Sequence, residues 1–497
     1  MDWAGVISTI FTLENLLIMN VGVFAGIVIG VLPGLNAVFA VAIMLPFTFG
    51  MESVTGMYLM LGAYAGAVYG GSIPSILLNT PGNPANVMTV FDGFPMAQQG
   101  RAGDALKFAL VGSVFGGLFS SFVLVVFAPI LATVALLFGS PEFFALSILG
   151  MFAAIGLAGG NIVKGLIMAI AGMFVSTVGM DVIDGTQRFL FGSPHLLSGI
   201  NVVAVMLGMF ALSEAVVQSR QALNVQSGKH TQVVYQKSNL TLMYTLKNHW
   251  RTLLRSSGIG AVIGAIPGLS PSVSSIVSYD RAQRASKNPD EFGKGHPDGV
   301  IASETGNSAT SSSTLIPLLT LGIPGDAASA VLLGALAMQN IIPGPDLFAG
   351  GSIWVFALMG GLFILNLFIY VQGGAFVKLM ANVIKVPVVI LLPCIIMLAT
   401  VGAFAIANTT FNTGLILIFA AFGYFIKVNK FPFPPFVIAL VLGEFFETNL
   451  RRSLILSGGS YSIFFTRPIS AAIILLSVVS LLYPLIKAAL KNRKTIS

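Results

Sequence analysis

Charge is what this sequence has least of. Only 9% of its 497 residues are Asp, Glu, Lys or Arg, where a water-facing protein carries about 25%, so most of its surface cannot face water. Cysteine is nearly absent as well. The single Cys394 sits in an apolar run, which excludes an internal disulfide and a cysteine metal site and leaves it a packing role. Four histidines, His195, His230, His249 and His296, fall in loop-like or basic stretches. No Ser–His pair, metal-spaced carboxylate cluster or Walker motif accompanies them. Enzymatic readings therefore fare badly. An intramembrane hydrolase, the rival of a different class, would need a histidine or second acid beside a serine cluster, and none is evident. The chain begins Met1-Asp2-Trp3 without a basic n-region, so no cleavable signal peptide is expected.

What is abundant is apolar. Hydrophobic residues make up 56% of the chain and mean hydropathy is +0.91. Runs long enough to span a bilayer, roughly 17–25 residues each, recur throughout, clearest at 105–135, 143–159, 162–180, 198–217, 352–372, 386–406, 411–426 and 468–486. About ten to twelve membrane segments are expected by that criterion. The fold class is an all-α polytopic membrane protein with no separate soluble domain.

The net charge of +7 does not point to nucleic acid, because of where it lies. Before residue 220 four Lys/Arg (Arg101, Lys107, Lys164, Arg188) stand against nine acids, and from 220 onward twenty-one stand against nine. Short basic loops beside membrane spans mark the cytoplasmic face. The basicity is a topology signal first, with contact to anionic lipid of the bilayer second.

The chain also repeats itself. Gly26-Ile-Val-Ile-Gly30-Val-Leu-Pro33-Gly34-Leu35 returns as Gly260-Ala-Val-Ile-Gly264-Ala-Ile-Pro267-Gly268-Leu269, and Pro74 with Pro81-Gly82 returns as Pro317 with Pro324-Gly325. Three weaker matches begin at Phe11 and Tyr244, at Gly165 and Gly414, and at Leu207 and Leu442. All five keep one order. This divides the chain into a transmembrane repeat at 1–217, a basic cytoplasmic linker at 218–239 and a second transmembrane repeat at 240–497. Charge gives their relative orientation. Between its two Pro-Gly breaks the first copy has no Lys or Arg at 50–53, whereas the second has Arg281, Arg284, Lys287 and Lys294. After the second break the pattern reverses, with Arg101 and Lys107 in the first copy and none at 339–352. Equivalent loops should then lie on opposite membrane faces, as in inverted-topology repeats.

Pro267-Gly268 divides 258–279 into arms too short to cross a core of about 30 Å as one helix, and both flanks, Arg251/Arg255 and Arg281/Arg284, are basic. A re-entrant hairpin satisfies both facts, and a single kinked span is the alternative.

Broken apolar segments at matching places in two halves point to a transporter's binding site. Polar residues cluster at the second breaks: Ser72, Asn79, Thr80, Gly82, Asn83 and Asn86 in the first copy, and Ser312, Ser313, Thr314, Thr320, Gly325, Asp326 and Ser329 in the second. Asn36 and Ser270, just past the first breaks, join them. Such sequence is tolerated in a membrane only in a protein interior or beside water. A half-helix starting at Asn83 or Asp326 would aim free N–H groups into a cavity, which suits an organic anion. No Lys or Arg lies in either block, so dipoles and hydroxyls would hold a carboxylate, with a co-transported cation, Na+ or H+, supplying positive charge. For any one serine of 308–313, helix–helix packing is the alternative. Acids inside spans default to function. Asp326, aligned with Asn83, is the principal candidate for Na+ or H+, with an N-cap as the competing role, and Glu304 is the secondary candidate. Glu214, Glu444, Glu447, Asp181 and Asp184 lie near span ends and read as interfacial. Without an ATP motif, coupling must come from an ion gradient or a partner, and no other cofactor is called for.

At these residues the sequence resembles the large membrane subunit of the tripartite tricarboxylate transporters, the TctA family. The resemblance is carried by the paired G-x-x-x-G-x-x-P-G-L blocks, by Gly71-Ser-Ile-Pro-Ser-Ile-Leu-Leu-Asn-Thr-Pro-Gly82 and by Thr320-Leu-Gly-Ile-Pro-Gly-Asp326. It implies a bacterial inner-membrane secondary transporter driven by Na+ or H+. It also implies a small four-helix membrane subunit and a periplasmic solute-binding protein as partners, with tricarboxylates, dicarboxylates or aromatic acids as cargo. A stand-alone organic-acid carrier and a channel are the remaining readings.

Overall fold

The computed structural model describes residues 2–32, 35–157, 162–181, 183–224, 238–267, 269–339, 341–376 and 409–494, with isolated positions between 379 and 400. The expected span 386–406 falls almost wholly outside these residues, as do Cys394, Pro33, Gly34, Gly268 and most of the basic linker. Among the described residues the chain is helical apart from one short antiparallel pair, β1 (Gly179–Met180) with β2 (Gln187–Arg188). Six helices among the described residues are long and apolar enough to cross a membrane. Val126, Phe127, Ile130 and Val134 stay exposed along one helix face, a surface stable only against hydrocarbon. The protein is an all-α polytopic membrane protein.

The helices run in chain order as α1 (Trp3–Ile10), α2 (Leu13–Val31), α3 (Ala37–Met44), α4 (Ser53–Gly70), α5 (Ser72–Leu78), α6 (Val87–Met96) and the long α7 (Ala102–Ala135). Then come α8 (Ser140–Leu157), α9 (Ile162–Ser176), α10 (Val202–Met206) and, through a wide turn at Leu207–Leu212, α11 (Ser213–Asn224). The second copy follows with α12 (Leu242–Ala265), α13 (Pro271–Ala285), α14 (Pro297–Ser313), α15 (Leu315–Leu321), α16 (Ala327–Met338) and α17 (Ile353–Ala375). It closes with α18 (Thr410–Val428), α19 (Phe433–Leu456), α20 (Ile463–Thr466) and α21 (Pro468–Lys494).

The repeated glycines explain the packing. Gly22, Gly26 and Gly30 of α2 rest on the backbone of α4 at Leu59, Ala63 and Ala67, where any added Cβ would collide with a carbonyl oxygen. The two helices are therefore parallel and touch backbone to backbone. α12 and α14 do the same through Gly260 and Gly264, and Thr310 Oγ1 donates to the Gly260 carbonyl at 3.2 Å. Small residues one turn apart permit this close approach in membranes.

A shorter helix returns between each parallel pair. In the second copy Ser274 donates to the Gly306 carbonyl at 2.9 Å, while Tyr279 lies against Gly299, so α13 runs antiparallel to α14. The Arg255 guanidinium donates to the Arg281 carbonyl at 3.2 Å. α12 and α13 are thus two arms of a hairpin whose open end gathers both basic flanks, and a single kinked span is excluded for this segment. In the first copy Thr48, beyond the end of α3, packs on Gly56, and the start of α3 lies with Tyr64 and Val68. α3 is returned in the same way.

The second breaks also match. α5 ends at Asn79 (φ 58°) and α15 at Gly322 (φ 69°), both in the left-handed region. The Thr80 N–H then bonds the Pro74 carbonyl, and the Ile323 N–H bonds the Pro317 carbonyl. The last carbonyls of a helix lack partners further along it, and the left-handed turn supplies one to each of these proline carbonyls. After four residues a new helical segment begins in each copy, capped by Asn83 and by Asp326.

Candidate functional site

Each break restarts a helix, and each restart needs a cap. The first free N–H groups of a helix have no partner within it, and an Asn, Asp or Ser oxygen just before them supplies one. Asn36 Oδ1 accepts from the Phe39 N–H at 3.1 Å. Asn83 Oδ1 accepts from the Ala85 N–H at 2.8 Å, opening the turn that leads into α6. Asp326 Oδ1 accepts from the Ser329 N–H at 2.7 Å, while Ser329 Oγ accepts from the Asp326 N–H at 2.8 Å, a reciprocal capping box. Ser270 precedes α13, which has Pro271 at its first position and no side-chain cap bond.

All four starts line one cavity of about 500 Å³. Asn36, Asn83, Ser270, Gly325 and Asp326 stand in its wall together. Four helix N-termini each carry up to about half a positive charge, so the cavity favours an anion before any side chain is counted.

The other polar residues singled out from sequence lie behind this wall. Ser72 donates to the Tyr69 carbonyl at 2.7 Å, Thr314 to Ser311 at 2.9 Å and Thr320 to Ile316 at 2.6 Å, each within or beside its own helix. Asn79 makes the left-handed turn, Thr80 donates to the Leu78 carbonyl at 3.2 Å, and the Gly82 N–H bonds the Gly71 carbonyl at 3.2 Å. Ser313 packs against Gly264. Ser312 lines a small void with Ser308, Ser311 and Tyr64. Asn86 points away from the cavity and donates to Glu304 Oε1 at 2.8 Å.

Both acids are engaged. Asp326 Oδ2 accepts from the Tyr64 hydroxyl of α4 at 2.9 Å. Glu304 is fully buried in the middle of α14. Besides Asn86, it accepts from Thr89 Oγ1 and, at 3.3 Å, from Ser113 Oγ of α7.

The structure adds to two expectations. Glu214, read from sequence as a span-end acid, lines the cavity and pairs there with Lys427 at the end of α18. The wall therefore does hold a cation, contributed from outside both Pro-Gly blocks. Sequence reasoning also passed over Tyr64 and Asn307, which line the cavity as well. The other span-end acids do lie in a cluster outside the helical core. Asp181 pairs with Arg188 at 3.2 Å and Arg451 at 2.7 Å, and Glu447 pairs with Arg188 at 2.6 Å. Backbone N–H groups of Ile183 and Asp184, and then Arg451, hold the Asp181 carboxyl below the usual carboxylate range.

The sequence model of the tripartite tricarboxylate transporter TctA family matches residues 16–438. The chain belongs to that family. It is 36% identical over 489 residues to an uncharacterised 52.8 kDa protein in the TAR-I ttuC' 3' region of Agrobacterium vitis, covering 97% of this chain and 95% of that one. A second Agrobacterium vitis protein, uncharacterised and in the TAR-II ttuC' 3' region, is 33% identical over 235 residues, 47% of this chain and 97% of its own. No solved structure matches. For this TctA-family chain the cavity lies where the helix starts that follow the Pro-Gly breaks of both copies meet, and membership makes it a transporter subunit, a multi-pass membrane protein.

Proposed function

We propose that the chain is the large membrane subunit of a binding-protein-dependent secondary transporter that imports a tricarboxylate or dicarboxylate across the bacterial inner membrane. The observation that carries this reading is the convergence of four helix N-termini on one cavity whose wall also holds Lys427. One cargo carboxylate lies against the starts of α3 and α13, and another against Asn83 and Gly325. Asn36 and Ser270 donate or accept at their hydroxyl and amide groups. The remaining polar residues at the breaks, from Ser72 to Asn86 and from Ser312 to Ser329, keep the unwound backbone satisfied behind the site.

The two repeats, 1–217 and 240–497 with the basic segment 218–239 between them, sit in opposite orientations and move by alternating access. A gradient of Na+ or H+ drives import, with Asp326 and Glu304 as the two acids positioned to couple it. The partners are a small four-helix membrane subunit and a periplasmic solute-binding protein.

The test is reconstitution of the chain with its small membrane subunit in sealed vesicles and measurement of labelled citrate and succinate uptake, with and without the binding protein. Uptake that requires both the binding protein and an imposed Na+ or H+ gradient supports the proposal. Gradient-driven uptake without the binding protein replaces it with a stand-alone carrier. Flux that shows no counterflow makes the chain a channel instead.

A further inference from the structure

Glu304 is a buried acid without a countercharge among the described residues. It is wholly buried in α14, and its carboxyl gathers three neutral donors from two other helical elements. Asn86 Nδ2 lies at 2.8 Å and Thr89 Oγ1 closer still on Oε1, and Ser113 Oγ lies at 3.3 Å on Oε2. Thr89 Oγ1 also sits 2.9 Å from Ser303 Oγ. Among the described residues no Lys, Arg or His nitrogen pairs with it, although the other long-range acid contacts in the molecule include several such pairs.

The titratable groups on the elements around α14 are already committed elsewhere. On α6, Asp92 takes the Tyr279 hydroxyl of α13 and three N–H groups at 293–296. On α12, His249 pairs with Asp298 in the first turn of α14. On α4, Tyr64 is bonded to Asp326, and Tyr69 has a partner of its own. On α7, Asp104 takes Ser238 and Lys107 lies over the Tyr370 ring. None of them supplies a countercharge to Glu304.

Two further side chains complete the picture. Asn86 Oδ1 is buried with no hydrogen-bond partner, right beside a carboxyl that its own Nδ2 already touches. An amide turned over by half a rotation would offer that oxygen to an acid O–H instead, and the two amide orientations are chemically equivalent in shape. Asn307 is one turn along α14 from Glu304 and lines the cavity, and both its amide atoms are buried without a well-formed hydrogen bond. The cluster therefore holds a spare acceptor at Asn86, and Asn307 stands between Glu304 and the cavity. With no Lys, Arg or His nitrogen beside it among the described residues, this buried charge is one that a proton neutralises, and the unpartnered Asn86 Oδ1 can accept the O–H that forms.

We propose that Glu304 is the seat of the co-transported proton, loaded from the cavity past Asn307, and that its protonation sets how firmly Asn86 and Thr89 hold the first tip to α14. The inference rests on the carrier reading above and names the ion and its place. The proton comes from cavity water and adds to a carboxylate oxygen. The resulting O–H donates to Asn86 Oδ1, which displaces one of the donors from the tip. Hydrogen bonds to a carboxylate are stronger than those to a neutral acid, so loading loosens the tip and unloading tightens it.

The test needs no cargo, so failure of citrate or succinate uptake would not touch it. Infrared spectra of the purified protein in lipid nanodiscs should contain a carboxylic-acid carbonyl band that comes and goes with pH and is missing in Glu304→Gln. Thr89→Val, which keeps the acid but deletes a donor, should move the pH at which the band titrates. Hydrogen exchange of residues 83–96 should be about five- to tenfold faster in Glu304→Gln than in wild type at high pH, and equal at low pH. A wild-type spectrum without the band at any pH the protein tolerates would overturn the proposal. So would a band that survives Glu304→Gln, a band abolished by Na+ at constant pH, or an exchange ratio independent of pH.

Discussion

Replacing Glu214 by glutamine should tighten the cavity's hold on a carboxylate. Glu214 and Lys427 each have less than a fifth of the side chain exposed and are paired in the cavity wall. Glutamine keeps the shape and leaves the Lys427 ammonium facing the cavity beside the Phe433 ring. An incoming carboxylate then meets one positive charge without its internal competitor. At an effective dielectric near 20, two unit charges about 6 Å apart interact by about 3 kcal/mol. Desolvation and ordering offset part of this, which leaves about 1–2 kcal/mol, or roughly five- to thirtyfold in Kd. Calorimetric titration of the purified protein with citrate and with succinate, at low and high salt, measures it. The gain should shrink as salt rises, Lys427→Gln should lose a similar factor, and the double variant should return close to wild type. Binding unchanged in Glu214→Gln, or undiminished in Lys427→Gln, would refute the assignment of this cavity to an anion.

Asp326→Asn keeps a capping residue before α16, so the protein should insert normally and, with the proton on Glu304, uptake in vesicles should retain its dependence on the imposed gradient. Loss of that dependence would move coupling to Asp326. Gly26→Val places a branched side chain where α2 meets the Ala63 carbonyl of α4, and overpacking of this kind costs about 1–3 kcal/mol or more; a thermal-unfolding midpoint unchanged from wild type would contradict the backbone contact. The Asp181 and Asp184 carboxyls are both held below the ordinary range, Asp181 chiefly by the Ile183 N–H and Asp184 chiefly by Thr186, with Arg451 contributing to each. Their stabilisation of the β1–β2 hairpin is present above the ordinary carboxylate pKa of about 4. It is lost as pH falls through the lower folded-state values, so proteolytic cleavage at 181–188 should rise only under strongly acidic conditions.

The repeated Pro-Gly blocks made the four helix restarts legible, because a proline-broken membrane helix must begin again and its first residues must be capped. Asn36, Asn83, Ser270 and Asp326 could therefore be named from spacing alone. The Ser/Thr run at 308–314 is harder to read, for an equally physical reason. In a membrane helix Ser and Thr bond back to their own carbonyls, as Thr310, Ser311 and Thr314 do here, so polar density alone does not separate a site from self-satisfaction. Glu214 and Lys427 could not be found that way. They are 213 residues apart in sequence, each a lone charge at a helix end, and only the approach of α18 to α11 makes them a pair. Tyr64 hid for the same reason, since nothing near it in sequence predicts an acid 262 residues away.

The two tips share a backbone path but not a fastening. Asn83 and Asp326 cap equivalent restarts, yet each tip is tied across the copy boundary to the middle helix of the other half. The second tip is tied by Asp326 to Tyr64 of α4, and the first by Asn86 and Thr89 to Glu304 of α14. In both ties the acid belongs to the second copy and the neutral partner to the first. Two repeats with identical charges would bind and release both tips together, and no ion could bias one over the other. Placing both acids in one copy makes one tie a cap, anchored also to Ser329, and the other a fully buried carboxyl with neutral donors and a spare acceptor beside it. The second kind offers an arriving proton a spare acceptor beside the carboxyl, so the asymmetry gives an ion a means of acting on one tip of an otherwise repeated structure.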